Sequence, residues 1–199
     1  MSKKKIRVLF VGNSYTYYND MPDLFRQKAE KLEYDATVAS VTKGGYYLKA
    51  FADPQDEYGQ ILRQTVEGQE YDVVVLQDQS CNPIRDREGF LTAIGALKSL
   101  LEKQTTHFVL YATWGRKEGC PKLEELELTN ETMTQALAEG YQEAADRYGM
   151  KIAHVGRAFS AFRKVFPDVD LYNEDLSHPS VEGSNLAAET ILKTVIGLI

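Results

Sequence analysis

Short apolar runs alternate with longer amphipathic segments along almost the whole chain. Lys5–Val11, Ala36–Val41, Tyr71–Leu76, His107–Ala112 and Lys151–Val155 have the length and composition of five β-strands. Two of them, at Val73–Leu76 and Phe108–Ala112, are nearly continuous apolar runs, the pattern of strands covered on both faces. Between the runs lie segments of helical period: Asp20 to about Glu33, Glu57–Gly68, Arg87–Gln104, Thr129–Gly149 and, closing the chain, Pro179–Ile199. Asp20 is a candidate N-cap, with Pro22 in the first turn. The alternation predicts an α/β three-layer sandwich, a parallel sheet with helices on both sides. No repeat, low-complexity tract or linker interrupts the pattern, so residues 1–199 read as one domain. With 199 residues, 43% of them hydrophobic, the chain can bury a sizeable core.

Charge and composition narrow the partners. A net charge of −6 leaves no basic footprint for nucleic acid. The basic start at Lys3–Lys5 is followed by too short an apolar stretch for a secretory signal. No segment approaches the roughly 20 apolar residues of a membrane span. The expectation is a cytoplasmic protein with no membrane partner. Cys81 and Cys120 do not make a disulfide framework and read as free thiols. Three histidines without clustered cysteine or histidine spacing suggest no metal site, and no cofactor motif is present.

In open parallel sheets, ligands bind outside the carboxyl ends of the strands. The residues that follow each strand are therefore the candidates. They are Gly12-Asn13-Ser14-Tyr15-Thr16, Thr42-Lys43-Gly44-Gly45-Tyr46-Tyr47, Gln77-Asp78-Gln79-Ser80 and Thr113-Trp114-Gly115-Arg116. The last of these opens a long loop, Thr113–Leu128, and long loops at strand ends often carry function.

The most informative stretch is Asp170–Gly183, which contains Asp175 and His178 three residues apart. In a helix or turn this spacing places both side chains on one face. A carboxylate there accepts the imidazole N–H, fixes the tautomer and stabilises the imidazolium formed when the other nitrogen takes a proton. Pro179 then starts the final helix and holds the pair. Ser14 stands at a strand-to-helix junction, where a serine is either a helix cap or an exposed nucleophile. A nucleophile needs a base and an oxyanion hole. His178 supplies a base if the C-terminal segment passes the end of the first strand. Donors for an oxyanion would be the Ser14 N–H, an N–H exposed by the permissive Gly44-Gly45 pair, and the Gln79 side-chain amide.

Taken together, these blocks resemble the SGNH (GDSL-type) hydrolases, a superfamily of esterases and lipases. Its first block is a strand followed by Gly-Asp-Ser, here Gly12-Asn13-Ser14. Its second is a glycine after strand two, here Gly45, with Phe51 six residues on. Its third is Gly-x-Asn-Asp after strand three, here Gln77-Asp78-Gln79-Ser80. Its last is Asp-x-x-His, here Asp175-Leu176-Ser177-His178 followed by Pro179-Ser180. The resemblance runs from Val8 to Gly183 and is closest to a Gly-Asn-Ser variant subgroup. It implies a flavodoxin-like strand order 2-1-3-4-5 and a serine hydrolase that cleaves an acyl ester. It implies Ser14 as nucleophile, His178 as general base and Asp175 as its orienter, with an oxyanion hole made by Ser14, Gly45 and Gln79. Two departures stand out. Asn13 replaces an aspartate, and Gln79 replaces an asparagine with a longer amide, while Asp78 brings a charge that opposes an oxyanion unless it points away.

Tyr15, Tyr17, Tyr18, Tyr46, Tyr47 and Trp114 all fall near strand ends. Flat aromatic faces with hydroxyl tips suit sugars. Tyr15, Tyr46 and Trp114 are the expected substrate contacts, whereas Tyr17 and Tyr18 suit packing of the helix start. Arg116 reads as a solvated loop arginine, with an anionic ligand as the alternative. No long apolar loop is available to line an acyl tunnel, so a short-chain ester such as an acetylated carbohydrate is the expected substrate. His107 and His154 read as structural, and Cys81 is a weak rival nucleophile because no carboxylate–histidine pair is tied to it. Two other readings share the scaffold: a non-catalytic carbohydrate-binding or regulatory module, and an acyl transferase using the same triad.

Overall fold

A computed structural model describes residues 3–199. Its strands are β1 (Lys4–Gly12), β2 (Tyr34–Thr42), β3 (Tyr71–Leu76), β4 (Thr105–Tyr111) and β5 (Lys151–Ala153). The helices are α1 (Ser14–Tyr17), α2 (Met21–Lys31), α3 (Leu48–Ala52), α4 (Glu57–Val66) and α5 (Asn82–Arg85), then α6 (Arg87–Leu101), α7 (Pro121–Glu125), α8 (Asn130–Tyr148), α9 (Val155–Val165) and α10 (Val181–Ile196). The strands form one parallel sheet in the order β2-β1-β3-β4-β5, the order expected.

The apolar runs are continuous because both sheet faces are covered. Val8, Phe10, Val73, Val75, Val109 and Tyr111 face one helical layer, packing with Phe25 of α2, Phe159 of α9 and Ile191 of α10. The alternate residues Leu9, Val11, Val74, Leu76, Phe108 and Leu110 face the other, with Phe51 of α3, Leu62 of α4, Ile94 of α6 and Tyr141 of α8. Period-2 alternation sends successive side chains to opposite layers, and both layers are apolar. The register aligns the carboxyl ends: Gly12 pairs with Thr42, Val11 with Leu76, Leu76 with Leu110 and Tyr111 with Ala153. β1 is flanked by β2 and β3, so the chain's first two crossovers diverge beside Ser14.

Three differences from the sequence reading have physical causes. Helix α9 goes beyond it: the chain passes straight from β5 through His154, whose side chain makes no capping hydrogen bond, so no start signal separates the two elements. The long loop Thr113–Leu128 contains α7 and is packed, with Cys120 and Leu123 joining Cys81, Met133 and Leu137 in a small third cluster. Asp20 precedes α2 but does not cap it, because a left-handed backbone (φ 51°) turns its side chain away from the helix N–H groups. Helix α8, by contrast, has the ends its sequence signals, with Thr129 in a capping box and Gly149 in the left-handed region (φ 66°).

Candidate active site

The first strand ends at Gly12 because nothing larger fits. A Cβ there would lie 2.4 Å from Thr16 Oγ1 and 2.7 Å from Gln77 Oε1. Gln77 Oε1 accepts from the Asn13 N–H (2.9 Å) and from the Thr16 hydroxyl (2.8 Å), tying the turn to the end of β3. Asn13 is buried and works in both directions. Its Oδ1 accepts from the Tyr15 N–H (3.1 Å), and its Nδ2 donates to the Tyr46 carbonyl (3.0 Å) on the loop after β2. Ser14 is therefore the first residue of α1 without being its cap, and its N–H has no hydrogen-bond acceptor among the described residues.

His178 arrives on the segment before α10. Tyr172 and Pro179 form an isolated antiparallel bridge, the Asn173 N–H donates to the His178 carbonyl (2.8 Å), and Ser180 caps α10. Within this turn Leu176 adopts φ 60°, a conformation that costs energy for a leucine. The reversal lets Asp175 Oδ1 accept from the N–H groups of Ser177 (3.0 Å) and His178 (2.9 Å), while Oδ2 binds His178 Nδ1. The other ring nitrogen, Nε2, lies 2.8 Å from Ser14 Oγ. Partial burial raises the Asp175 carboxyl, but the bonds from the His178 ring and the two N–H groups outweigh it and hold the pKa below the ordinary aspartate value. The imidazole stacks on Tyr18 (centroids 4.3 Å, 13° between planes) and meets Tyr15 edge-on (5.4 Å).

Gly45 and Gln79 line the same cleft as Ser14. Gly45 has φ +73°, and nothing lies within 4 Å of where a Cβ would stand. Gln79 Oε1 accepts from the Cys81 N–H (2.8 Å), which assigns the amide and leaves Nε2 without a partner among the described residues. Asp78 points the other way. It is fully buried and accepts from the Leu48 N–H, the Gln79 N–H and Asn82 Nδ2. Burial raises its pKa, and those bonds lower it in part.

Asn13, Ser14, Tyr15, Gly45, Gln79, Ser80, Arg116, Ser177 and His178 line one cleft of about 190 Å³. Four other surface grooves, of about 260 to 610 Å³, are larger, but none of them is lined by a histidine. Tyr15 is largely buried beneath the cleft, its hydroxyl 2.8 Å from Ser177 Oγ; burial, opposed by the charge of Arg116, pushes its pKa up to about 12. Trp114 corrects its expectation. It is fully buried, sandwiched between Tyr15 (4.8 Å) and Phe159 (4.1 Å), so it supports the site from below and touches no ligand in the cleft. Tyr46 is also redirected: its ring packs on Phe51 and Tyr58, outside the cleft, and only its carbonyl serves the site. Of the aromatics that follow the strand ends in the sequence, Tyr17 and Tyr47 are the exposed ones. Cys81 is buried and does not line the cleft.

No family model and no curated protein matches the chain. Solved structures do. One is a proposed SGNH hydrolase from Slackia heliotrinireducens, with 29% identity, a TM-score of 0.85, and 96% of this chain and 99% of that one covered. The chain shares the fold of that SGNH hydrolase over nearly its whole length and resembles the superfamily. Two more distant likenesses share the fold. A DUF4886 family protein from Bacteroides uniformis matches at 16% identity and TM-score 0.79, over 98% of this chain and 84% of that one. A variant of an acetyl-xylooligosaccharide esterase from Geobacillus matches at 13% identity and TM-score 0.62, over 98% and 96%. Against the superfamily's blocks, both departures are accommodated locally. Asn13 uses an amide donor that aspartate lacks, and the longer Gln79 folds back onto the Cys81 N–H. The stacking of Tyr18 on His178 goes beyond the sequence reading, which gave Tyr18 a packing role. Its place in the Tyr15–Tyr18 run was visible; its partner was not.

Proposed function

We propose that the protein hydrolyses a short-chain acyl ester through an acyl-enzyme, with Ser14, His178 and Asp175 as the catalytic triad. The observation that carries this reading is the single imidazole reaching Ser14 Oγ with one nitrogen and Asp175 with the other. In the first step Ser14 Oγ attacks the ester carbonyl and passes its proton to His178 Nε2, while Asp175 stabilises the imidazolium through Nδ1. The oxyanion is received by the N–H groups of Ser14 and Gly45 and by Gln79 Nε2. His178 then protonates the leaving alcohol. A water molecule, deprotonated by the same nitrogen, releases the acid.

A small acyl group suits the cleft of about 190 Å³. An acetylated carbohydrate is the preferred substrate class: Tyr15 floors the cleft, and the rings of Tyr17 and Tyr47, in the segments that follow β1 and β2, are exposed. The fold is shared with an acetyl-xylooligosaccharide esterase, which supports the choice. The test is turnover of p-nitrophenyl acetate together with labelling by a fluorophosphonate probe. The wild type should do both, and Ser14→Ala should do neither. A folded Ser14→Ala protein that keeps full turnover overturns the assignment. Product analysis with sugar acceptors separates hydrolysis from acyl transfer, and binding of an acetylated sugar without labelling would instead fit a non-catalytic module.

A further inference from the structure

Arg116 is a guanidinium built into the cleft without a counter-ion. Its backbone is clamped. The carbonyls of Gly115 and Arg116 both accept from Asn130 Nδ2 (2.9 and 2.8 Å), the Gly115 N–H donates to Thr134 Oγ1 (2.9 Å), and the Arg116 N–H approaches Met133 Sδ (3.4 Å). The side chain thus projects from a segment clamped on α8. The guanidinium lies over the Tyr15 ring (5.6 Å to the centroid) and Nη2 donates to Ser80 Oγ (2.7 Å). No carboxylate of the described residues lies within ion-pairing distance, and Nε is buried with no partner at all. Its neighbours are different: Lys117 is paired with Asp170, and Arg163 with Glu118. Arg116 is the cation that lines the cleft with Ser14 and His178, and it does so without a carboxylate partner among the described residues.

A partly desolvated guanidinium with unused, coplanar donors is costly unless an anion completes it. We propose that Arg116 is the specificity determinant for an anionic group on the ester, a carboxylate carried a few atoms from the scissile carbonyl on the acyl or the alcohol side. Ser80 and the Tyr15 face hold the guanidinium edge toward that group. This deepens the esterase reading and rests on it.

The experiment compares matched esters. On the acyl side these are mono-p-nitrophenyl succinate and p-nitrophenyl butyrate; on the alcohol side, O-acetylated methyl galacturonate and O-acetylated methyl galactoside. For wild type, kcat/KM should favour the anionic member of at least one pair by about tenfold or more, the scale of a charge-assisted hydrogen bond. Arg116→Gln should bring that ratio to about one, and Arg116→Lys should keep part of it. Absence of preference in both pairs, or a preference that survives Arg116→Gln, overturns the proposal. So does an equal loss on neutral and anionic esters, which would mean that Arg116 serves the oxyanion or the fold. If the variants fail to fold, succinate protecting wild-type Ser14 from fluorophosphonate better than butyramide supports the proposal, and equal protection overturns it. Labelling of Ser14 and turnover of the neutral esters report on the triad independently, so the two readings fail separately.

Discussion

Asn13 does what an aspartate in its place cannot: it accepts from the Tyr15 N–H and donates to the Tyr46 carbonyl at once, in a nearly fully buried position. Asn13→Asp puts a carboxylate beside a carbonyl and leaves that carbonyl unpaired. Its expected cost is about 1–3 kcal/mol, read as a lower urea midpoint at unchanged m-value. Gln79→Leu removes the one donor of the proposed oxyanion hole that a side chain supplies. We expect kcat to fall about a hundredfold in steady-state assays, with a smaller change in KM. Asp175 and His178 were legible because their partnership is local and fixed by spacing. Trp114 and Tyr46 were misread because the direction of an aromatic ring after a strand is set by distant partners, Phe159 for one and Tyr58 for the other.

At the scale of elements, the strands and long helices followed from periodicity, whereas α7 and α9 did not. Helix α9 does carry the helical pattern, with Val155, Phe159 and Phe162 on its inner side, but it abuts β5 without a breaker or a cap. The contact between α10 and the loop before it fixes the site. A Cβ on Gly183 would stand 2.3 Å from the Leu171 carbonyl oxygen, which itself accepts from the Ser180 N–H (2.9 Å). Gly183→Ala must therefore push the first turn of α10 away from the segment that carries Asp175 and His178. The expected result is a Tm lower by several degrees together with a kcat loss, because a small displacement of a catalytic group is felt strongly. Unchanged turnover in a destabilised Gly183→Ala protein would show that the loop holds its shape without α10.

For the molecule as a whole, stability should fall on the acid side. Partial burial raises Asp170, Glu118 and Asp175, but bonds from Lys117, Arg163 and His178 outweigh it and hold their pKa values below the ordinary 3.8, 4.5 and 3.8. A depressed carboxylate contributes stability above its unfolded pKa and loses it as the pH falls through the folded one. Below about pH 4 the urea midpoint should therefore decline. Asp78 acts with the opposite sign. Its pKa is raised by burial, so the native state binds its proton first and gains as the pH falls. Asp78→Asn should make the acid-side loss steeper, which a pair of urea titrations at pH 6 and about pH 3 would read. The sheet order followed from the resemblance. The cleft followed less well, because its walls come from four strand ends and a C-terminal turn that only the completed sheet brings together.

The burial of Trp114 also has an optical consequence. It is the chain's single tryptophan, lying flat between Tyr15 and Phe159, with its indole N–H donating to the carbonyl of Ser177, the residue before His178 (3.1 Å). The protein's tryptophan emission therefore comes from one chromophore, in a dry setting, hydrogen-bonded to the loop that carries His178. Acylation of Ser14 by a slow ester should change its intensity or wavelength without any added label, and Ser14→Ala should stay silent.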